Sequence, residues 1–113
     1  MHELSIVEGI MRAAVPEAEK HGAKKILAVR LRIGELSGVI PECISEYFAI
    51  AAKGTMAEGA KLEVERIPIR VRCPDCGYEG GIDRKRIRCP GCSGSDIRII
   101  AGREYFVDSL EVE

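Results

Sequence analysis

The chain has 113 residues, enough for one compact α+β domain with a small additional module and too few for two large hydrophobic cores. Its 17 basic and 18 acidic residues give a net charge of -1, which excludes a global field for gripping nucleic acid or an anionic membrane. No apolar run approaches the roughly 20 residues of a membrane span, and the start, MHELSIVEG, lacks the layout of a secretion signal. Four of the five cysteines form two close pairs, which fits metal binding in a reducing cytoplasm better than disulfides.

The first predicted element is an amphipathic helix within Leu4–His21, where apolar residues recur at helical spacing. Ser5 followed three residues later by Glu8 is the pattern of a capping box, which predicts that the helix begins near Ile6. Residues 1–3 are then expected to precede the helix as a short free arm whose backbone can wrap around a ligand.

Gly22 is expected to end this helix, and a half-buried strand follows from Ile26 to Ile33 because apolar residues alternate there with other types. The apolar face of that strand carries Leu27, Val29, Leu31 and Ile33. A second helix is predicted to begin at Pro41, a residue that suits the first turn, and to end near residues 53–54. Its inward face is expected to carry Ile44, Tyr47, Phe48 and Ala51.

A second strand is predicted from Ala60 to Ile67, and Pro68 ends it because proline cannot donate to a β-ladder. Residues 69–101 are short of large apolar side chains and too few to fold on a hydrophobic core of their own. After Gly102 a last strand is expected to rejoin the first sheet. Its expected inward face carries Phe106, Leu110 and Val112.

The predicted fold class is therefore α+β, a small mixed β-sheet with two α-helices packed on it. Residues 1–68 and 102–113 are expected to form this domain. Residues 69–101 are expected to form an inserted, zinc-ribbon-like module held by four cysteines.

The two cysteine pairs read CPDCG at residues 73–77 and CPGC at residues 89–92. Two residues between the cysteines of a pair allow both sulfurs to reach the same ion, and two such pairs complete a tetrahedron. We therefore predict one structural zinc ion, without an open position for water, on Cys73, Cys76, Cys89 and Cys92. Two disulfides, a rubredoxin-like iron site and redox-active thiols are the alternatives.

The amino terminus offers a second set of metal donors on Met1, His2 and Glu3. The terminal amine, the two following backbone amides and the His2 imidazole can lie in one plane, a geometry that Ni(II) and Cu(II) accept. Protons compete for every one of these donors, so binding is expected to strengthen as the pH rises. The alternative is that His2 is an exposed tail residue without a metal.

Two other features favour structural or surface roles, and the residue content argues against catalysis. Cys43 is expected to act as a small buried hydrophobe. A basic run could dock an acidic partner or nucleic acid, although solvated charge is the commoner explanation; it comprises Arg84, Lys85, Arg86 and Arg88. With two histidines and no Ser/His/Asp or Cys/His constellation, the chain is not expected to be an enzyme.

Five segments, MHELSIV, RIGELSGV, GTMAEGAKLEVERIP, CPDCG and CPGC, together carry a family resemblance. In this combination the chain resembles the HypA/HybF family of hydrogenase nickel incorporation proteins over essentially its full length. The resemblance implies a cytoplasmic metallochaperone that helps insert nickel into NiFe hydrogenase, working with the GTPase HypB and delivering to the hydrogenase large subunit.

The resemblance also assigns the metals. It implies transferable Ni²⁺ at Met1, His2 and Glu3, and structural Zn²⁺ at the four cysteines. From the charge balance and the lack of an apolar span we expect no nucleic-acid and no membrane partner, and we expect a monomer or weak homodimer. His21 is expected to be a capping or solvated residue rather than a ligand. The alternative function is a zinc-ribbon adaptor that binds nucleic acid or protein.

Overall fold

The computed structural model describes residues 3–113, which contain two helices and six strands. In chain order these are α1 (Glu3–Lys20), β1 (Ile26–Gly34), α2 (Pro41–Ala51), β2 (Lys61–Ile67), β3 (Arg70–Arg72), β4 (Glu79–Gly81), β5 (Arg98–Ala101) and β6 (Tyr105–Val112). The strands form two three-stranded sheets, in the orders β2-β1-β6 and β4-β3-β5. The predicted α+β fold class is confirmed. Neither described helix is long and apolar enough to cross a lipid bilayer.

The first sheet is mixed, with β1 at its centre. β2 runs parallel to β1 and β6 runs antiparallel to it, so that Leu31 lies opposite Val64 on one side and Val107 on the other. Parallel neighbours need a crossover connection, and the segment containing α2 supplies it. The second sheet lies in the chain between β2 and β6, and both of its strand pairs are antiparallel.

The hydrophobic core lies between the two helices and one face of the first sheet. Its buried side chains include Val7, Ile10, Ala14 and Ala18 of α1, Val29, Leu31 and Ile33 of β1, and Ile44 and Phe48 of α2. The α1 members recur every three or four residues, so one stripe of the helix faces the sheet. Fully burying an aliphatic side chain contributes about 1.5–3 kcal/mol, so apolar burial is the main force that holds the helices on the first sheet.

The predicted start of α1 near Ile6 is wrong. The helix already includes Glu3, so Ser5 lies inside it and does not cap it. An acidic residue in the first turn is favoured by the helix dipole, which stabilises the longer helix. Glu3 therefore belongs to α1 and not to a free arm.

The predicted end of α1 at Gly22 is confirmed. Gly22 has a positive φ of 71°, and its N–H donates to the Glu19 carbonyl at 3.0 Å. The next N–H, of Ala23, donates to the Ala18 carbonyl at 3.0 Å. These two bonds form a Schellman motif, which satisfies the last carbonyls of the helix and turns the chain towards β1.

The inward face of α2 differs from the prediction at one residue. Ile44 and Phe48 are buried, but Tyr47 is 41% exposed. The buried stripe on this short helix is narrow, and a tyrosine beside it keeps its hydroxyl in water at little cost. Tyr47 is therefore a surface residue.

The inward face of β6 also differs, because the strand contains a β-bulge. Ser109 lies opposite Arg30 and Val107 lies opposite Leu31, which leaves Asp108 as the extra residue. The bulge breaks the simple alternation, so that Val107 and Leu110 pack on the core. The side chains expected there with Leu110 are exposed instead, Phe106 by 44% and Val112 by 41%.

The two sheets meet just after β1, where residues 34–36 pass across residues 102–104; this contact is called the crossing below. The Gly34 N–H donates to the Glu104 carbonyl at 2.6 Å, and the Leu36 N–H donates to the Gly102 carbonyl at 2.6 Å. A Cβ on Gly34 would overlap the Gly102 carbonyl oxygen. Gly102 itself has a φ of 116° and lies against Ile69. Glycine is therefore required at both positions, and this crossing fixes where the second sheet leaves the first.

Candidate metal centre

The structure brings the four paired cysteines to one point. Cys73 directly follows β3, and Cys76 lies in the turn between β3 and β4. Cys89 and Cys92 lie in the loop between β4 and β5. All four sulfurs lie within 4.8 Å of one another, and across residues 3–113 this is the one His/Cys/Asp/Glu group with that geometry.

The spacing of the sulfurs fits a tetrahedral ion. Cys73 Sγ lies 3.8 Å from Cys92 Sγ, and Cys76 Sγ lies 3.4 Å from Cys89 Sγ. A zinc–thiolate bond of about 2.3 Å places the sulfurs of a regular tetrahedron about 3.8 Å apart. The donors therefore need only small movements to enclose zinc.

The first pair is held by a tight turn that the sequence motif anticipates. The Cys73 N–H donates to the Tyr78 carbonyl at 2.8 Å, and the Gly77 N–H donates to the Cys73 carbonyl at 2.9 Å. Gly77 has a positive φ of 78°. Glycine adopts this conformation without steric cost, which explains its place after the second cysteine.

The second pair repeats the same turn without a glycine at the equivalent position. The Cys89 N–H donates to the Gly94 carbonyl at 2.9 Å, and the Ser93 N–H donates to the Cys89 carbonyl at 2.8 Å. Ser93 occupies the place of Gly77 and has a φ of 62°, the one described non-glycine residue with positive φ. Left-handed conformation at such a residue is strained. The sequence motif gave no sign of this serine's role except its equivalent position after the pair.

One side of the cluster is sealed and the other faces solvent. Cys73 and Cys89 are buried, whereas Cys76 and Cys92 are exposed. Gly91 lines the cluster, because a Cβ on it would lie 3.2 Å from Cys76 Sγ. Solvent therefore reaches the cluster from the side of Cys76 and Cys92.

The cluster shifts the pKa values of Cys76 and Cys89 in opposite directions. The backbone of Tyr78 lowers the pKa of Cys76, but hydrogen bonding to Cys89, burial and the other two thiols outweigh it and raise that pKa to about 12. Burial raises the pKa of Cys89, but the backbone of Cys92 and Gly91 and the neighbouring thiols lower it to about 7. Cys89 is therefore more acidic than Cys76, and a bound divalent cation would favour the thiolate form of both.

The predicted nickel residues are mostly beyond the part of the chain that the structure describes. Met1 and His2 lie outside the described residues. Glu3 begins the described part of α1. The other histidine, His21, is exposed and its Nε2 lies 3.1 Å from Glu17 Oε1. It is not part of the cysteine cluster.

The basic run is exposed on the loop between β4 and β5, and one of its members contacts the cluster loop. The Arg88 guanidinium donates to the Ser93 carbonyl at 3.3 Å, next to the strained turn. The backbone N–H of Arg86 donates to the Asp83 carbonyl at 2.9 Å and closes the preceding turn. Arg88 therefore has a structural contact that its charge alone did not indicate.

Comparisons with known proteins are consistent along the whole chain. The family described as "Hydrogenase/urease nickel incorporation, metallochaperone, hypA" matches residues 1–112. Hydrogenase maturation factor HypA of Dehalococcoides mccartyi is 42% identical over 113 residues, covering 100% of this chain and 95% of the relative. The HypA protein of Moorella thermoacetica is 39% identical, with 100% of both chains covered.

Two solved structures share the fold. The solution structure of the Ni metallochaperone HypA from Helicobacter pylori has a TM-score of 0.71 and 25% identity, covering 99% of this chain and 97% of that one. A second solution structure of a HypA protein has a TM-score of 0.75 and 25% identity, covering 100% and 97%.

Proposed function

Because the chain belongs to the HypA family of nickel-incorporation metallochaperones, we propose that it carries Ni(II) at its amino terminus and keeps a structural zinc ion in its cysteine cluster. The observation that carries this proposal is the family match over residues 1–112, which includes both sets of donors. The two sites differ in chemistry, and that difference separates a retained metal from a transferable one.

Zinc in the cluster has a structural role in this proposal. Two sulfur–sulfur distances, 3.8 Å between Cys73 and Cys92 and 3.4 Å between Cys76 and Cys89, support it. Four thiolates around zinc leave no position open for water or substrate. A rubredoxin-like iron ion fits the same donors, and metal analysis of the purified protein distinguishes the two. Held thiolates also need a reducing compartment, which supports a cytoplasmic location.

Nickel is proposed to bind Met1, His2 and Glu3 through the terminal amine, the two backbone amides and the His2 imidazole. This set favours a square-planar ion, which suits Ni(II) and disfavours zinc. The open plane allows a partner with better donors to take the ion by ligand exchange.

Delivery is proposed to run from this protein to the large subunit of NiFe hydrogenase, with the GTPase HypB as a working partner. The chain is proposed to catalyse no reaction and to act as a monomer or weak homodimer. The names of the curated relatives, hydrogenase maturation factors, support the destination of the nickel.

The test is a Ni(II) titration of zinc-loaded protein, followed by the visible absorption of a square-planar complex. We expect His2→Ala, and separately one extra residue before Met1, to weaken binding more than tenfold, since each removes or displaces a planar donor. His21→Ala is the matched control and is expected to bind as the wild type does. Wild-type affinity in both terminal variants would contradict the proposed site.

A further inference from the structure

The outer edge of β6 is a free strand edge. β6 is the last strand of its sheet, and within residues 3–113 no other strand pairs with its outer side. A free edge presents a row of backbone N–H and C=O groups that another extended chain can pair with. Its apolar side chains are also accessible, with Tyr105 53% and Phe106 44% exposed.

An apolar groove runs beside this edge, between β6 and α1. It consists of two adjoining hollows of about 330 and 470 Å³, and Ala13 and Val107 line both. Ile6 and Tyr105 line the first hollow. Glu17 lines the second. The groove follows β6 along most of its length, which is the shape an extended segment needs.

Gly9 lines the first hollow and has no role inside the described fold. A Cβ placed on it would have no atom within 4 Å, and its backbone is helical. Glycine inside a helix costs about 0.5–1 kcal/mol relative to alanine. The absent side chain leaves room for a close approach to α1 from the groove.

The opposite edge of the same sheet is protected. β2, the sequence KLEVERI, places charged residues at four of its seven positions, and natural sheets use such charges to prevent edge pairing. β6 carries two charged residues, Asp108 and Glu111, and no lysine or arginine. Its bulge at Asp108 interrupts the edge at one point, so the stretches on either side of the bulge are the ones left available for pairing.

Charge decides which strand can pair there. Residues 104–113 read EYFVDSLEVE, with four acidic and no basic residues. Pairing of two copies of this edge would bring together two strands of net negative charge, which is unfavourable. The second hollow adds the carboxylates of Glu17 and Asp108, and no lysine or arginine lines it. His21 Nε2 lies 3.1 Å from Glu17 Oε1, and Arg32 Nε lies 3.7 Å from Asp108 Oδ1. Since the carboxylates outnumber these partners, a basic segment from another protein complements this edge better than a second copy does.

We propose that the groove between α1 and β6 binds an extended, basic segment of a partner protein, which adds to the free edge of β6 as a fourth strand. An apolar side chain of that segment fills the hollow beside Gly9, and a lysine or arginine lies over Glu17. The segment is recognised by backbone pairing, shape and charge, so its binding requires no metal at the amino terminus.

The probe is the peptide acetyl-Val-Thr-Val-Thr-Arg-Thr-amide, titrated into isotopically labelled, zinc-loaded protein and followed by NMR. We expect the shifted amides to map to β6 and the facing side of α1. Gly9→Leu fills the first hollow and is expected to weaken binding at least tenfold. Ala49→Leu makes a similar change on the exposed side of α2 and is expected to leave the affinity unchanged.

Two further comparisons test the mode of binding. Methylating alternate backbone nitrogens of the peptide is expected to abolish binding, since strand pairing needs those donors. Glu17→Lys is expected to weaken the arginine peptide and to strengthen one with glutamate in its place.

Four results would overturn the proposal: no wild-type binding up to about 1 mM peptide, equal binding by Gly9→Leu, equal binding by the methylated peptide, or shifts confined to another surface. Self-association that Gly9→Leu abolishes would replace the partner segment by a second copy and would also overturn it.

Discussion

Two parts of the molecule differ in how much apolar surface they bury. The first half, residues 3–68 with β6, contains fourteen of the eighteen buried apolar side chains in the described chain. The second half, residues 69–101, contains four. Two of those four are the metal-cluster residues Cys73 and Cys89. The first half has a core large enough to fold by apolar burial. The second has almost none, which supports the proposal that a metal bound by the cysteine cluster stabilises it. On this proposal the same chain uses two different sources of stability.

Loss of the metal is expected to have the largest effect on stability and to affect only the second half. In a Cys89→Ser variant, or after zinc removal, residues 69–101 should unfold while the first sheet stays folded, because structural zinc contributes about 10–16 kcal/mol of binding free energy in small metal-dependent folds. Hydrogen exchange read by mass spectrometry measures both halves at once. Cys43→Ser, on α2, is the control and should keep zinc and protection. Unchanged protection of residues 69–101 without metal would refute the structural role.

A cavity in the apolar core should destabilise the first half instead of the second. Phe48→Ala removes a side chain that is 2% exposed, and we expect a loss of about 3–5 kcal/mol in the free energy of unfolding. The matched change Tyr47→Ala, at a side chain that is 41% exposed, should cost less than about 1 kcal/mol. Denaturant unfolding monitored by circular dichroism measures both. Equal losses would mean that Tyr47 packs inward after all.

A substitution at the crossing should have an intermediate effect on the free energy of unfolding. Gly34→Ala places a methyl group on the Gly102 carbonyl, and overpacking of this kind costs about 1–3 kcal/mol. Gly9→Ala, where a Cβ meets no atom within 4 Å, should instead stabilise the protein by about 0.5–1 kcal/mol. Thermal unfolding of the two variants compares them directly. A Gly34→Ala protein as stable as the wild type would show that the crossing is loosely packed.

The smallest expected effect is a pH dependence at the same crossing. Hydrogen bonds from the backbone N–H of Glu104 itself and of Gly102 lower the pKa of the Glu104 carboxyl below its ordinary 4.5, although burial opposes them. A lowered folded-state pKa stabilises the protein above the ordinary value, and that stabilisation is lost as the pH falls through the folded pKa. Glu104→Gln should therefore be less stable than wild type at pH 7.

That difference between Glu104→Gln and wild type should shrink in the acid range below 4.5. Unfolding midpoints across pH measure it, and the exposed Glu46→Gln on α2 is the control. A difference that stays constant with pH would exclude an ionised Glu104 as its source.

The order of elements in the first half follows from local sequence patterns. Helical and strand periodicity predicted α1, α2, β1 and β2, and Gly22 and Pro41 marked two of their boundaries. The errors have identifiable causes. A capping-box pattern at Ser5 competed with a helix that starts earlier, and the bulge at Asp108 shifted the alternation of β6. A bulge depends on pairing with another strand, so a single segment does not reveal it.

The cysteine cluster was predictable because ligand spacing is a local property. The two Cys-X-X-Cys pairs identified all four sulfurs that the fold brings within 4.8 Å. The strain at Ser93 and the crossing of Gly34 with Gly102 were not predictable, since both depend on contacts between distant segments. The groove along β6 was missed for the same reason.

We propose that the protein keeps one metal and passes on another. The most direct test is to load the protein with one zinc and one nickel ion, add EDTA at neutral pH, and measure both metals by elemental analysis over time. We expect nickel to leave first, while zinc remains and residues 69–101 stay protected from hydrogen exchange. Loss of zinc before nickel, or of both together, would contradict it.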